Sequence, residues 1–119
     1  MPLLFVYGTL LEGERNHRLL DGSHRVGAAL TRKGYALLDC GPYPALVEAG
    51  AGRVHGELYV VSPPLLLRLD EFEEHPTLFE RRPVALERAP RAWAYFLPGS
   101  EDPGLPRIRG GRWRGRTPR

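Results

Sequence analysis

Apolar residues recur along this chain in short runs separated by glycine, proline and polar turns, a pattern that predicts many strands and few helices. Leu3 to Tyr7 is an unbroken apolar run with aromatic and branched side chains, and reads as a buried strand. A short helix is expected near Asn16 to Leu20, ending before Asp21-Gly22. Extended segments follow at about 25–31, 34–39 and 44–48, with Gly41-Pro42 as a turn. Arg53 to Val61 alternates well enough to be a strand, and Arg81 to Glu87 with Ala92 to Leu97 read as a closing hairpin around Ala89-Pro90. The reading is an α+β domain built on a small, curled or barrel-like mixed β-sheet with few short helices.

One helix stands out. From Ser62 to Pro76 the chain offers an N-cap serine, a proline at the first helical position and a second proline beyond the end, framing about three turns. At roughly 100° per residue, Leu65, Leu66, Leu69 and Phe72 fall in one stripe, while Leu67, Asp70, Glu71 and Glu74 point elsewhere. Glu73 falls between Leu66 and Leu69, a carboxylate on the apolar side. Burial raises a carboxylate's pKa, and the negative end of the helix dipole raises it further, so Glu73 is a candidate general base near neutral pH. The competing reading is a frayed last turn that leaves Glu73 as one more solvated acid.

The predicted first strand runs straight into Gly8-Thr9-Leu10. A glycine there permits close approach by a ligand, and successive backbone N–H groups can form an anion-binding nest. Neither a P-loop nor Gly-x-Gly-x-x-Gly follows the strand, so nucleotide binding has no motif behind it. Taken alone, Tyr7-Gly8-Thr9-Leu10 also fits an ordinary turn.

Tyr7-Gly8-Thr9-Leu10, Gly13, Asn16-His17, Pro44-Ala45-Leu46-Val47, Val54-His55-Gly56-Glu57-Leu58-Tyr59, Leu69-Asp70-Glu71-Phe72-Glu73 and Phe79-Glu80-Arg81 together form a series. In order and spacing it resembles the γ-glutamylcyclotransferase-like, or AIG2-like, family over nearly residues 3 to 97. The pairing of Tyr7-Gly8-Thr9-Leu10 with Asn16-His17, and of Leu69-Asp70-x-Phe72-Glu73 with Pro76, looks most like the γ-glutamylamine cyclotransferase branch. The resemblance implies conversion of a γ-glutamyl amine or γ-glutamyl amino acid to 5-oxoproline and a free amine. It also implies that Glu73 is the catalytic acid/base, that the loop of Tyr7, Gly8, Thr9 and Leu10 holds the glutamyl group, and that the fold is of the type read above. The loop N–H groups would grip the α-carboxylate or stabilise the developing oxyanion. The chain departs from the family pattern at Phe79, a substrate-binding position where tyrosine is usual; Tyr7, Tyr43 or Tyr95 would have to supply that hydroxyl.

Composition limits the alternatives. At 119 residues the chain suits one domain, 1–119, with an arginine-rich tail at 103–119. The absence of a long apolar run or a leader-like segment leads us to expect a soluble cytoplasmic protein with no membrane partner. Cys40 is the single cysteine, read as a small buried thiol, and excludes an intrachain disulfide. His17, His24, His55 and His75 are scattered without metal-ligand spacing, Ser23, Ser62 and Ser100 sit in turn or cap contexts, and no cofactor is implied. His17 is expected to contact the N-terminal loop and His75 to end the helix.

The net charge of +3 conceals an asymmetry. Residues 1–106 carry 11 basic and 14 acidic groups, while residues 107–119 carry six arginines and no acid. Arginines interleaved with Trp113 can bind phosphates and stack on bases, so a nucleic-acid-binding protein is the alternative from another class. Against it, the body is acidic, and Ile108 to Trp113 resembles the Ile…Gly-x-Trp ending of bacterial relatives in which the tail packs back on the domain. A third reading keeps the fold as a ligand-binding protein without catalysis. Oligomeric state leaves no signal in the sequence.

Overall fold

A computed structural model describes residues 2–89, 91–99 and 104–113. Among these described residues seven strands form one mixed sheet: β1 (Leu3–Val6), β2 (His24–Leu30), β3 (Tyr35–Asp39), β4 (Pro44–Glu48), β5 (His55–Val60), β6 (Glu80–Val84) and β7 (Ala92–Phe96). Between β5 and β6 lies α1 (Pro63–Phe72), and a 3-10 turn occupies His17–Leu20. These elements match the expected segments to within a few residues. Pro90, at the centre of the expected closing hairpin, lies outside the described residues, as do Ser100 and much of the arginine-rich tail.

The sheet runs β2-β5-β1-β7-β4-β3, with β6 on the other side of β7. It curls but does not close as a barrel; an isolated bridge between Thr31 and Leu86 is what links the end of β2 to the chain after β6. β6 pairs with β7 antiparallel, from Glu80 opposite Phe96 to Val84 opposite Ala92. The other edge of β7 is shared by two parallel neighbours, β1 through Leu4 opposite Trp93 and β4 through Leu46 opposite Phe96. β1 and β4 therefore leave a fork along one edge of β7.

Alternation along the strands divides the core into two apolar clusters. Phe5 and Tyr7 of the first strand and its continuation join Leu37, Leu46, Ala94 and Phe96 inside the curl. Leu4 and Val6 face the opposite way with Tyr59 and Tyr95, beneath Leu65, Leu66 and Leu69 of α1. The helix starts as its sequence requires: Ser62 Oγ accepts from Leu65 N–H at 3.2 Å, and Pro63 takes the first helical position. Burying three leucines supplies most of its docking energy, at about 1.5–3 kcal/mol each as an upper estimate.

Two features of the helix differ from the expected stripe. Phe72 is 44% exposed, and Asp70 turns inward to partners on β6 and β7. Phe72 is the last helical residue, where the chain turns away from the core. Asp70 is held by hydrogen bonds and an ion pair, which a hydrophobicity pattern does not register.

The described part of the tail packs back on the domain. Pro106 C=O accepts from Asp39 N–H at 2.8 Å, Ile108 N–H donates to Leu37 C=O at 2.9 Å, and Trp113 is buried in the inner cluster. Arg114, Arg116 and Arg119 lie outside the described residues. Among the described residues no helix is long and apolar enough to cross a membrane.

Candidate active site

The fork between β1 and β4 is bridged by a phenol. Tyr7, directly after β1, donates its hydroxyl to Tyr95 C=O at 2.7 Å and accepts from Leu46 N–H at 3.3 Å. Burial pushes its pKa far up, and the nearby Glu73 carboxylate adds to the shift. The ring is thus a neutral structural tie between β7 and β4, and it sends the chain at Gly8 out over the fork. A Cβ on Gly8 would stand 2.7 and 2.8 Å from the Cγ and Cδ of Pro44, closer than carbon atoms approach, so glycine alone fits against the start of β4.

The loop that follows is fixed through its carbonyls. Leu11 N–H donates to Gly8 C=O at 3.0 Å, Asn16 N–H to Thr9 C=O at 3.0 Å, and His17 Nδ1 lies 2.9 Å from Leu10 C=O. Asn16 Nδ2 also donates to Thr9 Oγ1 at 3.1 Å. The N–H groups of Gly8, Thr9 and Leu10 take no part in this set, and all three residues line a cleft of about 190 Å³. His17 contacts the loop as expected.

Glu73 lines the same cleft at the end of α1. The helix stops at Phe72 after 10 residues, close to the expected three turns, and Glu73 is its C-cap. The stop has the geometry of a Schellman motif: Glu74 N–H donates to Glu71 C=O at 3.1 Å and His75 N–H to Asp70 C=O at 2.9 Å. Glu74 holds the left-handed position of that motif, at φ 54°, where glycine is usual. Among the described residues the Glu73 carboxyl has no hydrogen-bond or ion-pair partner. Burial without a partner pushes its pKa up to about 7. The solvated alternative for Glu73 is thereby set aside.

A polar cluster behind Glu73 fixes the end of the helix. Arg81 on β6 grips Asp70 with two hydrogen bonds, Nε to Oδ1 at 2.8 Å and Nη2 to Oδ2 at 3.0 Å, and stacks 4.5 Å from the Trp93 ring centroid. Tyr95 donates its hydroxyl to Asp70 Oδ1 at 2.7 Å. Burial alone would raise the Asp70 pKa, but the hydrogen bonds from Arg81 and Tyr95 outweigh it and hold the carboxyl below its ordinary range. His75, whose N–H takes part in the helix stop as expected, also accepts at Nδ1 from Arg81 N–H at 2.9 Å. Two carboxylates on one helix end are so driven apart: Asp70 is locked as an anion, and Glu73 is left able to exchange a proton near neutrality.

All six residues singled out from the sequence, Glu73, Tyr7, Gly8, Thr9, Leu10 and Phe79, line this one cleft. Tyr7 and Tyr95 cannot donate in place of the hydroxyl missing at Phe79, because both hydroxyl protons are committed elsewhere. Tyr43 packs edge-on against Phe79 with centroids 5.9 Å apart and its hydroxyl has no protein partner among the described residues. The sequence reading missed the Asp70–Arg81–Tyr95 cluster and Arg15, which also lines the cleft. An aspartate eleven residues before an arginine carries no periodicity, and the available signal was only their presence in the two motif blocks. Cys40 is half-buried with a pKa raised by burial, which makes it a poor thiolate. Among the described residues no cluster of His, Cys, Asp and Glu could hold a metal ion.

Comparison with known proteins gives a consistent result. Residues 4–115 match the family described as γ-glutamyl cyclotransferase, AIG2-like. A Vibrio cholerae protein provisionally named a γ-glutamylcyclotransferase is 44% identical over 94 residues, covering 79% of this chain and 80% of its own. The human γ-glutamylaminecyclotransferase is 38% identical over 119 residues, covering 89% of this chain and 72% of its own. Among solved structures, a mouse AIG2-like protein superposes with a TM-score of 0.76 at 27% identity, covering 100% of this chain and 99% of its own.

Proposed function

This chain belongs to the γ-glutamyl cyclotransferase, AIG2-like family, and we propose that it converts a γ-glutamyl amide to 5-oxoproline and a free amine with Glu73 as its general acid/base. The observation that carries the assignment to Glu73 is its unpaired carboxyl, with a pKa near 7, in the cleft lined by Gly8, Thr9 and Leu10. The reaction needs little else. The substrate brings its own nucleophile, the α-amine, so no serine or cysteine has to form a covalent intermediate.

At neutral pH the α-nitrogen enters as an ammonium group. Glu73 as carboxylate takes a proton from it, and the freed amine attacks the γ-carbonyl carbon. A C–N bond forms within the new ring, and the amide C–N bond to the leaving group breaks. Two protons pass in all from the α-nitrogen to the departing nitrogen, and Glu73 ends in its starting state. Folding the glutamyl chain so that amine and carbonyl meet is the main demand, and ideal alignment of that kind is worth up to about 7–11 kcal/mol. The Gly8–Leu10 loop meets it by offering N–H groups to the α-carboxylate or to the oxyanion of the tetrahedral intermediate.

The test is mass-spectrometric detection of 5-oxoproline after incubation with a panel of γ-glutamyl amino acids and γ-glutamyl amines, alongside Glu73→Gln. Product from the wild type with at least about a 10²-fold loss of turnover in the variant is expected. Near-normal turnover in a folded Glu73→Gln protein would overturn the assignment. Nucleic-acid binding gains no support, since Trp113, the aromatic of the arginine-rich stretch, is buried and has no face to offer a base.

A further inference from the structure

The cleft grades from a closed end to an open rim. Tyr7, Gly8, Pro44 and Phe79 are buried, whereas Arg15, Phe72 and Leu78 are exposed. Phe72 and Leu78, each 44% exposed, stand together on one cleft, an arrangement that marks a contact surface more than scattered apolar residues do. Among the described residues Arg15 is the one cation in the lining and Glu73 the one carboxylate, and the Arg15 guanidinium has no protein partner. The glutamyl end of a substrate belongs at the closed end, against the loop N–H groups, so the leaving amine projects to the rim.

From this arrangement, and resting on the cyclotransferase reading above, we propose that the rim selects the leaving group by its charge and its apolar surface. Arg15 pairs with a carboxylate on the departing amine, while Phe72 and Leu78 cover an apolar side chain. The favoured substrates are then γ-glutamyl dipeptides whose second residue is apolar. A γ-glutamyl polyamine brings a free ammonium group to a rim that already holds a cation and is disfavoured there.

Three substrates separate the possibilities: γ-glutamyl-leucine, the neutral γ-glutamyl-leucinamide and the cationic γ-glutamyl-putrescine, each assayed for 5-oxoproline with wild type and Arg15→Gln. The wild type is expected to favour γ-glutamyl-leucine over the leucinamide by about tenfold in kcat/KM, the worth of one hydrogen-bonded charge pair, with putrescine lowest. Arg15→Gln collapses the leucine-to-leucinamide ratio toward one, and Phe72→Ser narrows the preference for γ-glutamyl-leucine over γ-glutamyl-glycine. An equal fall on all three substrates in Arg15→Gln would overturn the proposal and give Arg15 to the glutamyl carboxylate instead. A wild-type preference for putrescine would defeat the rim assignment while leaving the cyclotransferase reading intact. Absence of product from every substrate would defeat that reading and the rim with it.

Discussion

The two faces of β1 and β7 are built from adjacent residues of the same strands and yet do different work. Inside the curl, Phe5, Leu46, Ala94 and Phe96 pack as a dry apolar core, where the polar atoms of Tyr7 are spent on backbone groups. Under α1, apolar packing by Leu65, Leu66 and Leu69 gives way at the helix end to Asp70, Arg81, Tyr95 and the unpaired Glu73. The inner face fixes the position of the fork, and the outer face carries a group that is costly to bury. A fold can carry such a cost on one face when the other face is closely packed with apolar side chains.

Substitutions on the two faces should therefore separate stability from turnover. Gly8→Val, at the seam between them, is expected to have the largest effect: its Cβ displaces Pro44 and closes the cleft, so substrate binding by calorimetry is lost. Unaltered affinity would remove the loop from the site. Leu46→Ala, wholly inside the curl, should cost about 2–5 kcal/mol in denaturant unfolding with turnover of the remaining folded protein near normal. A large change in turnover there would erase the distinction between the faces.

Glu73→Gln should do the reverse. The folded pKa of about 7 lies above the ordinary 4.5, so the folded state binds the proton more tightly than the unfolded chain. The carboxyl's destabilising contribution is absent below about pH 4.5, grows between the two values, and is complete above about 7. Glu73→Gln should thus stabilise the protein at pH 8 by up to about 3 kcal/mol and make little difference at pH 4, as thermal unfolding at the two pH values will tell. Wild-type kcat/KM should fall as pH drops through about 7, where the base form of the free enzyme is lost.

Asp70→Asn removes the anion that Arg81 and Tyr95 hold. About 1.5–3 kcal/mol of stability should be lost, together with part of kcat, because the helix end no longer fixes Glu73. Equal stability in the variant would show that the cluster does not anchor the helix. Glu74→Gly is the smallest change: it relieves the left-handed backbone at the helix stop and should stabilise by about 0.5–1 kcal/mol. A loss of stability would mean that the Glu74 side chain matters more than its backbone.

Much of this was legible beforehand, for identifiable reasons. Strand alternation, the Ser62-Pro63 start and the apolar positions Leu65, Leu66 and Leu69 are local properties, and local chemistry placed those elements within a few residues. Helical phase also brought Glu73 to the correct side, although the helix ends one residue before it. Phe72 and Asp70 misled because helical phase registers neither where the chain leaves the core nor which polar partners meet a side chain. Their positions depend on where the chain turns and on Arg81 and Tyr95, which arrive from other strands.

The amino-acid sequence by itself determined the elements, the family and six of the residues around the cleft, since propensity, periodicity and motif order are written along the chain. Tertiary structure alone decided that β1 and β4 share an edge of β7, that the Tyr7 hydroxyl stitches the resulting fork, and that Asp70 is paired while Glu73 is not. The physical reason is that a carboxyl's proton affinity follows from what surrounds it in space. Three positions apart at one helix end, these two acids have opposite shifts because, among the described residues, Asp70 meets Arg81 and Tyr95 while Glu73 meets burial alone.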